Sequence, residues 1–330
     1  MSAPHALWLD DATRAPSLAP DVLGGTVVVT GNFDGVHRGH QALFARARAL
    51  ADARHLVPVA LTFDPHPRAV LGTGAPALLT STARRIQLIE RLGVAHVFVR
   101  RFDHVFAAWT PERFVEELLV NELGARVVIA GDNFRFGAKR AGDDALLRGL
   151  GPTLGFEAFT LEATDEKGPL SSSRARDAVA AGDVTEAARV LGRPHSIEGI
   201  VARGDQRGRT IGFPTANLSE VTELVPANGV YAVTVDRTVL GESCALATGV
   251  MNIGTRPTLG GVSRTLEAHL FDFEGDLYGS SLRVHFIARL RDEQKFDGLP
   301  ALQAQIARDA ATARAATQAL RAEAVGGSYG

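Results

Sequence analysis

Two imidazoles and three glycines crowd into ten consecutive residues, Gly31-Asn32-Phe33-Asp34-Gly35-Val36-His37-Arg38-Gly39-His40. Glycine lets a backbone turn tightly and approach a ligand closely, and a helix starting here would offer free N–H groups to an anion. His37 and His40 stand three apart, on one side of such a helix. Imidazole donors beside a helix N-terminus suit the charge that builds on a phosphate under attack, so this element points to nucleotidylyl transfer. Glycine-rich strand-to-helix turns are common and a lone histidine is usually ordinary. Two histidines flanking a glycine at this point of the chain are not.

Three further segments fit the same chemistry. Thr62-Phe63-Asp64-Pro65-His66-Pro67 ends an apolar run, and its prolines stiffen an exposed edge. Gly131-Asp132-Asn133-Phe134-Arg135-Phe136-Gly137 offers an amide, a guanidinium and two rings that suit a hydrophobic core equally well. Ser171-Ser172-Ser173-Arg174-Ala175-Arg176 opens a helix with hydroxyls and N–H groups for phosphate oxygens, and Arg176 as a clamp. Helix capping explains one of those serines, not three.

A second concentration of chemistry runs from Gly204 to Asn217, Gly-Asp-Gln-Arg-Gly-Arg-Thr-Ile-Gly-Phe-Pro-Thr-Ala-Asn. Gly204, Gly208 and Gly212 recur every four residues, as in a flap whose amides wrap a phosphate. No G-x-x-x-x-G-K-[ST] loop occurs, and Asp272-Phe273-Glu274-Gly275 is not the Asp-Phe-Gly of protein kinases. Thr215 and Asn217 alternate with Ala216, so on an extended strand both point one way. A hydroxyl beside an amide oxygen suits Mg²⁺ carried with nucleotide phosphates; a hairpin with polar turn residues has the same glycine spacing. Glu267 then stands inside the apolar run Leu266-Glu267-Ala268-His269-Leu270-Phe271. A carboxylate there either faces solvent from an alternating edge strand or takes the proton of an alcohol attacking a γ-phosphate.

These groups need two kinds of scaffold. The first half alternates β-branched runs (26–30, 56–63, 94–99, 126–130, 156–161) with helical patterns at 43–50, 84–92 and 111–123, the last burying Phe114, Val115, Leu118 and Leu119. Apolar strands separated by helices predict a mostly parallel sheet covered on both faces, with ligands at the carboxyl ends of its strands. From about residue 196 strand follows strand (197–201, 229–235, 244–252, 265–271, 282–290), predicting an antiparallel barrel or sandwich, and an Ala-rich helix closes the chain at 300–324. The expected division is 1–183, a helical bridge at 184–195, and 196–330.

The 330 residues hold 45% hydrophobic and 22% charged side chains, enough apolar material for two cores. A formal net charge of -2, three Tyr and two Trp give no broad basic or aromatic surface for nucleic acid. The single cysteine, Cys244, excludes a disulfide framework and a Cys-cluster metal site. No run is long enough for a membrane span, and no secretory signal is recognisable, so a cytoplasmic protein, monomeric or transiently homo-oligomeric, is expected.

The ordered set GNFDGVHRGH, TFDPHP, GDNFRFG and SSSRAR resembles the FMN adenylyltransferase module of bacterial bifunctional riboflavin kinase/FAD synthetases. The resemblance implies a Rossmann-like nucleotidyltransferase fold. It also implies that His37 and His40 bind ATP and stabilise its α-phosphate, and that Asn32, Phe33 and Gly39 line the nucleotide. Asn133 would contact nucleotide and flavin phosphates, Ser172, Ser173 and Arg176 would hold pyrophosphate, and Pro65, His66, Pro67 and Phe134 would border the flavin. Ala175 replaces the family's usual Ile or Val and reads as a packing change. GRTIGFPTAN, GVYAV, MNIGTRPT, LEAHLFDF and LYG are similar to the riboflavin kinase family, a small β-barrel. There Thr215 and Asn217 would bind Mg²⁺ and ATP, Glu267 would be the base on the ribityl 5′-hydroxyl, and the Gly204–Gly212 flap would cover ADP. Arg291, Lys295 and Phe296 would border the flavin. The implied activity is phosphorylation of riboflavin to FMN followed by adenylylation to FAD. The alternative is a nucleotidylyltransferase for another phosphorylated substrate with a non-catalytic flavin- or nucleotide-binding barrel, which would leave Glu267 and Pro214-Thr215-Ala216-Asn217 without a use.

Overall fold

A computed structural model describes residues 6–9, 24–72, 74–203, 213–239, 242–258 and 261–326. The chain divides into two compact units, Met1–Ala77 with Thr82–Ser171, and Leu78–Ser81 with Ser172–Gly330.

The first unit is a six-stranded parallel sheet in the order β1-β4-β3-β2-β5-β6. Its strands are β1 (Leu7–Leu9), β2 (Thr26–Thr30), β3 (Val57–Asp64), β4 (His96–Arg101), β5 (Ala125–Gly131) and β6 (Glu157–Leu161). Between them run α1 (Arg38–Arg54), α2 (Pro67–Val70), α3 (Thr82–Glu90), α4 (His104–Ala107), α5 (Pro111–Arg113) and α6 (Asp144–Leu154). A small hairpin, β7 (Thr164–Asp165) with β8 (Gly168–Pro169), follows. All five residues of β2 are buried, and alternate ones enter opposite cores: Val28 joins Phe63, Phe114 and Leu118 on one face, while Val27 and Val29 join Phe44, Ala47 and Ile89 on the other. The covered parallel sheet is therefore as expected. Edge strand β1 has only three residues, too few for a hydrophobic period to show. Thr110 caps the helix at Pro111, but only one turn is α-helical. From Phe114 to Glu122 the chain is wound as a π-helix that still buries Phe114, Val115, Leu118 and Leu119.

In the second unit α7 (Ser172–Ala181) and α8 (Val184–Leu191) lead into β9 (Ser196–Ala202), β10 (Ala216–Ser219), β11 (Gly229–Val239), β12 (Glu242–Thr258), β13 (Gly261–Leu270) and β14 (Ser281–Arg291). These six strands close into a barrel in the order β10-β13-β12-β11-β14-β9, which decides between barrel and sandwich. Its interior is filled by Val201, Leu218, Tyr231, Met251, Leu266, Ala268, Val284 and Phe286. Helix α9 (Leu299–Gly326) lays Ala313 on Val230, Ala232, Val250 and Phe271 of the outer face. By their contacts α7 and α8 group with the barrel strands, Ser171 being the last residue of the first unit and Ser172 in the second. Leu78 also folds with this unit, its carbonyl accepting from Leu224 N at 2.7 Å. Glu186 ties α8 to α7 by accepting from Arg174 Nη2 at 2.9 Å, and within α8 it also accepts from Arg189 Nη2 at 2.7 Å.

Candidate functional site

In the first unit the turn 31–37 leaves β2 at its carboxyl end and enters α1 at Arg38. His37 is the N-cap residue: its Nδ1 accepts from Gly39 N at 3.1 Å and His40 N at 3.4 Å. An accepting Nδ1 assigns the neutral ring's hydrogen to Nε2. The His37 and His40 rings stack with centroids 3.6 Å apart, and His40 meets the Phe33 ring edge-on at 5.2 Å. A Cβ on Gly39 would lie 2.9 Å from the His37 ring, so glycine is what lets the imidazole fold back on the helix start. Phe33 is 1% exposed and anchors the turn in the core against Phe44, at the unusual backbone angle φ 50°.

The turn is also held from outside itself. Arg85 on α3, 2% exposed, donates from Nη1 to Asn32 O at 3.0 Å and from Nη2 to Phe63 O at 2.9 Å. Thr62 Oγ1 donates to the same Asn32 carbonyl at 3.2 Å. Burial lowers the pKa of Arg85, opposed by the nearby charges of Asp34 and Asp64. Arg85 thus joins the ends of β2 and β3. It was missed in the sequence, where its one signal is an arginine at helical spacing with the buried Leu88 and Ile89.

Beyond β3, Pro65 is exposed and Pro67 half-buried, while His66 Nδ1 accepts from Arg68 N at 3.2 Å to cap α2. After β5, Asn133 is exposed and Phe134 half-buried, stacked on the buried Phe136 at 5.4 Å. Phe136 is a core ring, whereas Phe134 retains an open side.

In the barrel, strand register does what the turn does in the sheet. Glu267 on β13 lies directly opposite Asn217 on β10 and, on its other side, Asn252 on β12. Leu266 and Ala268 point into the barrel, so Glu267 faces outward, as do Asn217 and Asn252; all three are half-buried. Thr215, two residues before Asn217, is also half-buried, and Pro214 O lies 2.8 Å from His269 Nδ1. The row continues through Val230 on β11 to Arg291 on β14. Arg291 is engaged by Asp309 of α9, Nη2 to Oδ2 at 2.8 Å, and its guanidinium stands 5.5 Å from the Phe296 ring. Lys295 is exposed. Gly204, Gly208 and Gly212 lie outside the described residues.

Comparison with known proteins matches each unit. Residues 19–175 match the family model for FAD synthetase and residues 191–317 the one for riboflavin kinase. A protein from Escherichia coli (strain K12) named bifunctional riboflavin kinase/FMN adenylyltransferase is 43% identical over 292 residues, 88% of this chain and 92% of its own length. The protein of the same name from Bacillus subtilis (strain 168) is 37% identical, covering 86% of this chain and 90% of that one. The chain belongs to the bifunctional riboflavin kinase/FMN adenylyltransferase family. A solved structure titled as a macrolide-efflux protein from Streptococcus pneumoniae superposes with a TM-score of 0.77 at 32% identity, covering 88% of this chain and 95% of that one. Among the described residues of this family member, no helix is long and apolar enough to cross a membrane.

Within the bifunctional family's two modules, the residues singled out from the sequence fall into three groups. Asn32, Phe33, His37, Gly39 and His40 share one turn of the first unit, with Pro65, His66, Pro67, Asn133 and Phe134 on the loops after β3 and β5. Ser172 and Ser173 open α7 in the second unit and Arg176 begins its second turn, next to the fully buried Ala175. Asn217 and Glu267 stand side by side on the barrel. Asn252 and Asp309 were not assigned from the sequence: the first acquires a neighbour only through register, the second only through helix docking.

Proposed function

We propose that the chain makes FAD from riboflavin in two steps, the barrel phosphorylating riboflavin to FMN and the parallel-sheet unit joining FMN to AMP from a second ATP. The observation that carries this reading is Glu267 set in register beside Asn217 on the barrel face, in a chain whose other unit stacks two histidines on a helix N-terminus.

In the kinase step Glu267 takes the proton of the ribityl 5′-hydroxyl as its oxygen bonds to the γ-phosphorus, and the bond to the β-bridging oxygen breaks to release ADP. Thr215 and Asn217 offer a hydroxyl and a carboxamide next to a carboxylate, all oxygen donors, which is the donor set that suits Mg²⁺. When bound, the cation would neutralise charge on the β- and γ-phosphates. Arg291, Lys295 and Phe296 border the flavin, and the glycines at 204, 208 and 212 cover the nucleotide.

In the adenylyl step a phosphate oxygen of FMN attacks the α-phosphorus of ATP and pyrophosphate leaves. The Nε2–H of His37, the ring of His40 and the amides at the start of α1 stabilise the charge that develops there. Asn32 and Gly39 line the nucleotide, and Phe33 supports His40 from beneath. Asn133 contacts the phosphates of both substrates, Ser172, Ser173 and Arg176 hold pyrophosphate, and Pro65, His66, Pro67 and Phe134 border the flavin. Positioning carries most of both rate enhancements, with no covalent enzyme intermediate. The reactants are small molecules, and the site calls for neither nucleic acid nor membrane.

Incubation with riboflavin, ATP and magnesium, followed by chromatography, tests the reading. FMN is expected first and FAD after it. Ligand binding with neither product overturns it.

A further inference from the structure

The row of residues across the barrel face is ordered by chemistry as well as by register. From β10 to β14 it runs Asn217, Glu267, Asn252, Val230, Arg291. At one end is the residue proposed for the metal and phosphates, next to it the base, and at the far end the arginine stacked near Phe296. A substrate with its reacting alcohol at Glu267 and the phosphate donor on the Asn217 side directs the chain behind that alcohol over β12, the strand on the other side of β13. The outward-facing side chain that β12 contributes to the row is Asn252. It is half-buried, and among the described residues no side chain hydrogen-bonds to its carboxamide. A carboxamide both donates and accepts, which matches a hydroxyl that does the same. Val230, the next position in the row, lies under α9 and offers no polar group.

We propose that Asn252 is a specificity-determining residue of the barrel site, hydrogen-bonding the inner hydroxyls of the polyol chain that links the reacting alcohol to the flavin ring. This rests on the kinase reading of the barrel and adds the part of the substrate that Asn252 recognises. It separates flavins with a hydroxylated side chain from those with a plain alkyl alcohol of equal length.

The test compares riboflavin with 10-(5-hydroxypentyl)flavin, which keeps the terminal alcohol and lacks the inner hydroxyls. Phosphorylation of each is followed with magnesium and ATP in the full-length protein and in Asn252→Ala. The unaltered protein is expected to prefer riboflavin in kcat/KM, and Asn252→Ala to reduce that preference about tenfold by losing rate on riboflavin alone. An equal loss on both substrates means a structural role and overturns the inference, as does an unchanged preference. Should Asn252→Ala fail to fold by circular dichroism, Asn252→Ser decides on the same ratio, since a shorter hydroxyl cannot span the same bond. No phosphorylation of riboflavin by the unaltered protein would sink the kinase reading itself, a result distinct from either outcome above.

Discussion

The turn at residues 31–40 and the face of the barrel bring their polar side chains together in opposite ways. In the turn, ten contiguous residues build nearly everything: His37 caps the helix that carries His40, and Gly39 makes room for the ring. On the barrel, Asn217, Asn252 and Glu267 come from three strands and meet only because β10, β13 and β12 pair in one register. A one-residue slip of β13 would send Glu267 inward and leave the turn untouched. The local site is fixed by backbone conformation at a few positions, and the distributed one by long-range pairing.

The largest expected effect separates the two sites outright. Glu267→Gln should lower FMN formation about 10³-fold while FAD synthesis from supplied FMN continues at its usual rate. Loss of both would show that the two sites do not act independently. Arg85→Met asks how local the turn is. It removes a buried guanidinium from two backbone carbonyls and from the neighbourhood of Asp34 and Asp64, and should cost about 3 kcal/mol in urea unfolding of the first unit. An unchanged midpoint would mean that the turn holds its own shape.

His40→Ala should slow FAD formation about 10²-fold and let FMN accumulate, as expected for one lost donor at a developing charge. His37 combines a cap with a donor, and two substitutions part them. His37→Ala should lose about 1 kcal/mol of stability together with activity, whereas His37→Asn should restore the cap and leave FAD formation impaired. Equal FAD rates in His37→Asn and the unaltered protein would remove the donor role.

The smallest effect concerns the barrel alone. Burial pushes the Glu198 carboxyl up, but hydrogen bonds from Ser281 and Arg283, with the Arg283 charge, outweigh it and hold the pKa below the ordinary carboxylate value. A depressed folded-state pKa stabilises above the unfolded value and is lost as pH falls through the folded one. Acidification below about pH 4 should therefore lower the barrel's unfolding midpoint, and Glu198→Gln should flatten that part of the profile. An identical acid limb in the variant would assign it to other carboxylates.

Legibility in the sequence followed the same division. The helix α1 face of Leu43, Phe44, Ala47 and Leu50 and the cap region could be read because their contacts lie within one or two turns. The run Leu266, Glu267 and Ala268 set Glu267 apart by its charge, but nothing in it identified the neighbours. Phe33 shows the converse: it sits in the motif, yet its ring is core. Arg291 was picked out only by the family resemblance, and its bond to Asp309 depends on where α9 docks.

Side-chain type and short-range spacing alone determined that the chain has a glycine-rich turn with two histidines, a parallel-sheet half, a strand-rich half and an isolated carboxylate in an apolar run. These are properties of segments, set by local backbone preference and hydrophobic period. Tertiary structure decided that the strands close into a barrel, that Asn252 stands beside Glu267, and that Arg85 ties the turn to β3. Each joins residues distant along the chain, and it is packing and register, rather than any local pattern, that brings such residues together.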